Sequence, residues 1–471
     1  MAAPGAASPV ARGLALLVAA LLAAAALSDR PWLGAEPGLR LVELGVLGVA
    51  AALVVTALAA PRWSAGVLSI VLSTALTLVA AELLARPFLS ARHRTPFRLD
   101  ERRLYAPVPG AERDYRRAPS HGGDRITYGF GPEGFRGGPI ARPKQAPRVV
   151  VYGDSFIQAE YSRDADTFAA QLGRALAASL GGPVEVLNAG VAGYGPDQSL
   201  RRMEEELGWL DADLVVVSIY AGNDFGDLVR NKLYRLAPDG TLRDNAYVLD
   251  DEIRLRMTLA RSEPILRRVL RELAAGLRRR GAPAGAPSDA ERAAKVERYL
   301  AQVQAEYREF VEAGDDVVRE LLSDPYNADV TLLPDSDSAR YKLRMMQAVM
   351  ERMAAVADAQ RVPLFFVFVP HAIDVVSHHD SGLVDAAKYP QYRPNGATDA
   401  LGAIAQRIGR PHLDLFAPFR AHGADALYFD GLDDHWNDAG QALAARLAAE
   451  AIVADGLLRA PAATAGTGAG R

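Results

Sequence analysis

The chain of 471 residues contains no cysteine. That single absence removes disulfides, a thiolate nucleophile and cysteine-ligated zinc, and it leaves the redox compartment open. Charge imbalance is also missing. The net charge is −4 and no long basic stripe runs through the sequence, so a nucleic-acid partner is excluded. The first ninety residues lack an amphipathic period, which argues against buried helices of a soluble core. What is present is apolar mass: half of all residues are hydrophobic, enough for a large core, and the length allows two or three structural units. Basic residues are nearly all arginine and alanine is abundant, a bias of genome composition rather than function.

Three apolar stretches occupy the N-terminus, at 13–27, 41–60 and 67–85. The last two come close to the roughly 20 residues that cross a bilayer. Pro61-Arg62-Trp63 separates them, with Trp63 suited to the headgroup layer, and Glu43 and Glu82 lie near span ends. The first stretch also fits a signal peptide, with Arg12, a short apolar core and small residues before Ser28. These features predict a multi-pass protein of the cell membrane, residues 1–90 forming the membrane region and the bilayer its first partner. With the N-terminus inside, the remaining chain is expected outside the cytoplasm. The arginine count points the other way, because Arg86, Arg92, Arg94 and Arg98 follow the third span while Arg12 and Arg62 mark the inner side.

Residues 91–147 are rich in Arg, Pro and Gly and read as a connector with a small β element at Arg125–Tyr128. From Arg148 onward apolar strands alternate with helical patterns. Strands are expected at Val149–Tyr152, Val184–Asn188, Leu214–Tyr220, Pro363–Val369 and His412–Leu415. Helices are expected at Asp166–Leu180, Gln198–Leu210, Ser338–Ala359, Thr398–Ile408 and Asp438–Leu458. Continuous apolar strands are buried on both faces, which implies a parallel sheet between two helical layers, with functional groups at the strands' carboxyl ends. The stretch 225–339 breaks the alternation: no strand is evident and helix predominates, so it reads as a helical insertion. Pro264 opens a helix over Ile265–Arg280 ending in Arg278-Arg279-Arg280, and Ser288 caps the next, whose Val296, Leu300, Val303, Tyr307 and Phe310 form one apolar stripe. Scaffold and lid are equally open for it. The tail from 459 to 471 has no core and is expected to be disordered.

The chemistry-bearing residues fall in four blocks. Gly153-Asp154-Ser155 follows the first strand and places a hydroxyl at a sharp turn. Asn188 to Gly195 follows the second, with glycines able to bring backbone N–H groups close to a ligand. Ala221-Gly222-Asn223-Asp224 follows the third and offers a side-chain amide. Asp433-Asp434-His435-Trp436-Asn437 precedes the last helix. A hydroxyl, an imidazole and a carboxylate are what nucleophilic acyl transfer requires, and the Ser155 N–H, the Gly193 N–H and the Asn223 amide could converge as oxyanion donors.

In order and strand position these blocks resemble the SGNH hydrolases, also called GDSL-like esterases and lipases, over roughly residues 148–458 apart from the insertion. The resemblance implies an α/β, flavodoxin-like three-layer fold with sheet order 2-1-3-4-5. It also implies Ser155 as nucleophile, His435 as base, an oxyanion hole of Ser155, Gly193 and Asn223, and no metal or organic cofactor. One departure stands out. The family's usual aspartate, three residues before the histidine, is Leu432 here; Asp433 takes its place as orienter, with Asp430 and Asp434 in reserve. The Asp-x-His-Trp spelling looks like that of SGNH-type O-acetyltransferases, although in their alginate branch the Asp-His pair precedes the serine. Asp434 reads as a complement to the helix dipole. Asp154 reads as a turn stabiliser, Trp436 as packing and His371 as a loop residue; His378-His379-Asp380 lacks a third metal ligand at a familiar spacing. Three functions follow: a membrane-anchored serine esterase acting on an acylated, chiefly acetylated, envelope glycan or lipid; an O-acyltransferase with the same residues, which would need a membrane acyl-donor partner; or a catalytically silent glycan-binding module.

Overall fold

The computed structural model describes residues 8–27, 41–89, 96–117, 122–260, 287–323, 325–377, 382–429 and 433–459. The expected helix Ile265–Arg280, the His378-His379-Asp380 cluster, Asp430, Leu432 and the tail from 460 lie outside them. The chain divides into two compact units: residues 1–94 with 251–283, and residues 95–250 with 284–471.

In the first unit, helices α1 (Pro9–Leu27), α2 (Leu41–Leu58) and α3 (Pro61–Leu89) form around the three apolar stretches. Two stretches, Pro9–Leu27 and Pro61–Ala85, are long and apolar enough to cross a membrane; the apolar part of α2, Glu43–Leu58, is shorter. Small residues make the helix contacts: Ala15, Ala19, Ala50 and Ala57 are buried with Leu53 and Leu68. Arg12 Nε donates to the Ala57 carbonyl at 2.9 Å, so the start of α1 caps the end of α2. Ile70, Leu76 and Leu84 are instead exposed, as lipid-facing side chains would be.

The second unit opens with two antiparallel hairpins, β1 (Phe97–Asp100) with β2 (Leu104–Pro107) and β3 (Glu112–Arg116) with β4 (Arg125–Gly129). The central sheet follows: β5 (Arg148–Tyr152), β6 (Glu185–Asn188), β7 (Leu214–Tyr220), β12 (Leu364–Val369) and β13 (His412–Asp414). Its five strands are parallel in the order β13-β12-β7-β5-β6, which counted along the sheet is the expected 2-1-3-4-5. The strand residues of β5, β7 and β12 are all buried, the reason their sequences read as unbroken apolar runs.

Connecting helices are α4 (Ser155–Gln158), α5 (Phe168–Leu180), α6 (Pro196–Leu210) and α7 (Asp224–Arg230). After α8 (Asp251–Ala260), which belongs to the first unit, come α9 (Asp289–Tyr307), α10 (Ala328–Leu332), α11 (Asp337–Ala359), α12 (Ala372–Val375), α13 (Gly396–Arg407), α14 (Phe416–Ala421) and α15 (Asp438–Ala454). Helices α5 and α15 cover one face of the sheet, burying Leu172, Leu176, Ala444 and Ala448 against Val149, Val151 and Val216. Helices α6 and α11 pack together on the other.

Two expectations change. The insertion is not strand-free: β8 (Tyr234–Leu236) pairs antiparallel with β9 (Leu242–Asp244), and β10 (Val248–Leu249) pairs parallel with β11 (Val317–Val318). Strands of two or three residues are too short to show alternation. The segment after residue 95, expected as a connector, belongs to the second unit, and its expected β element at Arg125–Tyr128 is β4. Tyr105 is 1% exposed and donates to the Ala192 carbonyl at 2.8 Å, and Arg117 pairs with Asp438 at 2.8 Å. The apolar stripe of α9 is largely as read: Val296, Leu300, Val303 and Phe310 are buried, and Ser288 caps the helix in a reciprocal box with Glu291.

Candidate active site

The strand β5 ends at Tyr152, and Gly153-Asp154 turn the chain into α4, so that Ser155 sits at the carboxyl edge of the sheet. The Asp154 carboxylate accepts the Phe156 N–H at 2.9 Å, which is the turn-stabilising part read from the sequence. At the other end of α4, Arg136 donates to the Gln158 and Ala159 carbonyls and, at 2.6 Å, to that of Ser162. Its own N–H donates to the Asn188 carbonyl at 2.9 Å. This buried arginine, which also pairs with Asp164 at 3.0 Å, thereby fixes the serine-bearing turn, a function with no sequence signal because the carbonyls it holds there are main-chain atoms.

The loop after β6 is laced to the same turn. Asn188 Nδ2 donates to the Ile157 carbonyl at 2.7 Å, the Val191 N–H to Gly153 at 3.0 Å, and the Ala192 N–H to Gln158 Oε1 at 2.7 Å. Gly193 follows with φ +73°, a left-handed conformation that glycine adopts without strain. Among the described residues, neither the Ser155 N–H nor the Gly193 N–H donates to a protein acceptor. Asn223 precedes α7, is 6% exposed, and makes no side-chain capping bond to that helix.

From the far end of the sequence, a bridge between Tyr428 and Trp436 brings in the histidine block. Trp436 is buried against Phe168 and Phe156 and donates to the Phe156 carbonyl at 3.2 Å, which makes it packing, as read. His435 Nε2 lies 2.8 Å from Ser155 Oγ, and its Nδ1 lies 2.8 Å from Asp433 Oδ1. The Asp433 oxygen also accepts the His435 N–H at 3.0 Å, so the carboxylate is tied to the backbone of the residue it serves. The imidazole is stacked on Phe156 at 4.7 Å and met edge-on by Tyr161 at 5.2 Å. Burial opposes protonation of this ring, but the hydrogen bond and charge of Asp433, with the charges of Asp434 and Asp154, outweigh it and raise its pKa well above the ordinary imidazole value.

Two sequence readings are corrected here. Asp434 does not complement a helix dipole: its Oδ2 accepts the Tyr220 hydroxyl at 2.7 Å and faces His371 Nε2 at 3.4 Å. Burial would raise its pKa, yet the bonds from His371 and Tyr220 and the nearby imidazoles hold it far below the usual carboxylate range. His371 is more than the plain loop residue expected: it ends the short loop after β12, is 5% exposed and caps α12. Its position after β12, at the same sheet edge as Ser155, was the available signal. Asp433, Asp434 and His435 present possible metal-ligand atoms within 4.8 Å of one another. Both imidazole nitrogens and the Asp434 carboxylate already have protein partners, so the set is poorly arranged for an ion.

The arrangement allows a proton to pass from a hydroxyl to an imidazole whose opposite nitrogen is held by a carboxylate. No protein-family model matches the chain, and no curated protein matches it. Among solved structures it is similar to a lipase/acylhydrolase from Enterococcus faecalis, at 12% identity, covering 67% of this chain and 100% of that one, with a TM-score of 0.33. A variant of Axe2, an acetyl xylan esterase from Geobacillus stearothermophilus, matches at 12% identity over 65% of this chain and 94% of that one, TM-score 0.33. A two-domain esterase active on acetylated mannans matches at 11% identity over 67% and 51%, TM-score 0.32.

Proposed function

We propose that the chain is a membrane-anchored serine esterase of SGNH type that removes an acyl group, acetyl being the simplest, from an envelope glycan or lipid. The observation that carries this reading is the continuous line Ser155 Oγ–His435 Nε2, His435 Nδ1–Asp433 Oδ1, both steps at 2.8 Å. Ser155 attacks the ester carbonyl while its proton moves to His435 Nε2, and Asp433 holds the tautomer and offsets the imidazolium. The carbonyl oxygen takes the negative charge and is met by the Ser155 N–H, the Gly193 N–H and the Asn223 amide. The imidazolium returns its proton to the departing alcohol, leaving an acyl-serine, and water repeats the sequence to release the acid. One oxyanion donor is worth about 2.7–4 kcal/mol in such a step, and the acid–base pair about 10²–10⁴-fold. The apolar helices α1 and α3 support membrane anchoring, with the second unit facing away from the cytoplasm.

A second reading, transfer of the acyl group to a polysaccharide hydroxyl, is favoured by the Asp433-Asp434-His435-Trp436 spelling. The full chain in detergent, assayed on an aryl acetate, separates the alternatives. Turnover abolished by Ser155→Ala supports catalysis. Turnover that rises with added oligosaccharide, with acyl groups appearing on it, selects transfer. Undetectable cleavage together with no labelling of Ser155 by an organophosphonate refutes both and leaves a binding module.

A further inference from the structure

The imidazole of His435 faces two carboxylates. Asp433 Oδ1 is 2.8 Å from Nδ1, and Asp434 Oδ1 is 3.5 Å from the same atom. The second carboxylate is built in rather than incidental. Its other oxygen accepts the Tyr220 hydroxyl and faces His371 Nε2. His371 Nδ1 accepts the Ile373 N–H at 2.9 Å, which leaves the ring proton on Nε2, directed at Asp434. Tyr220 lies between the rings of Phe156, at 4.1 Å, and His371, at 5.6 Å. A Cβ on residue 222 would stand 2.4 Å from His371 Cδ2 and from Tyr220 Cε1, so Gly222 is what allows both rings to close on Asp434.

We propose that Asp434, held by Tyr220 and His371, is a positioning residue of the same reaction: a second carboxylate that shares with Asp433 the orientation and charge compensation of His435. This rests on the Ser155–His435 reading above. Asp433 alone would fix the ring in one direction; Asp434 approaches the same nitrogen from a neighbouring one, and its link to the sheet edge through Tyr220 ties the ring to β7. Among the described residues, the other titratable groups facing the pair are Asp154 and Tyr161 on the imidazole side, and Tyr428 and Lys295 of α9 on the Asp434 side. Lys295 is a cation and favours the ionised form of Asp434.

The test compares Asp433→Asn, Asp434→Asn and the double variant as full chains in detergent, on an aryl acetate across pH. Loss of the sole carboxylate of a one-acid triad costs about 10⁴ in kcat. Here each single variant is expected to lose about 10–10²-fold and the double about 10⁴-fold. Asp434→Asn also moves the acidic limb of the rate profile to lower pH with KM unchanged, which a merely structural residue would not do. His371→Ala lowers kcat and His371→Gln, whose amide can still donate, restores it. An unmoved limb in Asp434→Asn, with a double variant no worse than Asp433→Asn, overturns this inference alone. Wild-type turnover in Ser155→Ala overturns it together with the reading on which it rests. If Asp434→Asn fails to fold, Tyr220→Phe removes only the 2.7 Å bond; a kcat loss of about threefold supports the proposal, and unchanged kcat overturns it.

Discussion

Gly193→Ala separates the oxyanion part of the site from its scaffold. At φ +73° an alanine is held in the left-handed region, which costs about 1–2 kcal/mol. The new Cβ would meet Leu322 Cδ2 at 2.7 Å and the Tyr105 hydroxyl at 2.8 Å. These contacts differ in consequence. Leu322 is 57% exposed and can swing away at little cost. Tyr105 is buried, edge-on to Tyr194 at 5.2 Å and to Phe97 at 5.5 Å, so the clash falls on its hydroxyl bond to Ala192. Losing that bond adds about 1 kcal/mol, for a total near 2–3 kcal/mol and, in a unit of this size, a melting-point drop of about 3–4 °C. The strained residue is also the one whose N–H is assigned to the oxyanion; alanine keeps that N–H but displaces it, so kcat on an aryl acetate should fall, at most by the about 10²–10³-fold that full loss of a donor costs, with KM little changed. Adding Tyr105→Phe removes the clashing oxygen. The double variant should therefore be less destabilised than the two single losses combined, and its kcat should stay low. Wild-type kcat in a Gly193→Ala protein with a lowered melting point would refute the oxyanion assignment; an unchanged melting point would refute the steric argument.

Other expectations concern charge and burial. Because the neutral imidazole is the active form and its pKa is raised, kcat/KM of the wild-type chain should climb through a limb above pH 6.5; a limb at or below that value would show that the two aspartates do not act on the ring. Burial pushes the Asp197 pKa up to about 7 against the bonds it accepts from Asn231 and Gln198. A raised folded-state value means a contribution present in full below 3.8 and lost as pH rises through about 7, so the wild-type melting point should fall over that window relative to Asp197→Asn. Lys342 and Asp329 form a pair with both side chains 0% exposed at 2.7 Å, and Lys342→Met should cost about 3–5 kcal/mol in urea unfolding by leaving the carboxylate buried without its cation. Arg136→Lys keeps the charge but cannot reach three carbonyls at once; kcat should fall about tenfold while Ser155 remains open to an organophosphonate.

What was legible in the sequence follows from which forces write a pattern. Val149–Tyr152, Leu214–Tyr220 and Leu364–Val369 were readable because burial on both faces demands apolar residues at every position. Ser155 and His435, which the structure brings within 2.8 Å, were readable because one follows such a strand and the other precedes a helix. Of the hairpins from 96 to 129 only β4 was legible, at the expected Arg125–Tyr128; β1 to β3 lie in a stretch rich in Arg, Pro and Gly with few apolar runs. In the structure Arg103 is inserted between Asp100 and Glu205, with its side chain only 12% exposed, and Arg117 reaches Asp438. Paired charge looks the same in a sequence as free charge. Asp434 was misread for a related reason: proximity to a helix start along the chain suggested a local partner, whereas Tyr220 and His371 come from two other strands' ends.

The 2.8 Å steps at His435 also demand an account of precision. Burial of Trp436 and of the alanines of α15 draws the histidine block onto the sheet, but the hydrophobic effect has no direction and would tolerate displacements of an ångström or more. Direction comes from Asn437. Its N–H donates to the Leu427 carbonyl at 2.8 Å, its Nδ2 to Ala426 at 2.9 Å and to Tyr428 at 3.1 Å, and its Oδ1 accepts from Ala439 and Gly440. The Phe429 N–H meanwhile donates to the His435 carbonyl at 3.0 Å. The imidazole is therefore carried between an apolar anchor at 436 and a saturated polar one at 437, with Asp433 closing the loop from the N-terminal side. Burial supplies the energy that brings the two chain ends together, and these hydrogen bonds supply the geometry that proton transfer needs.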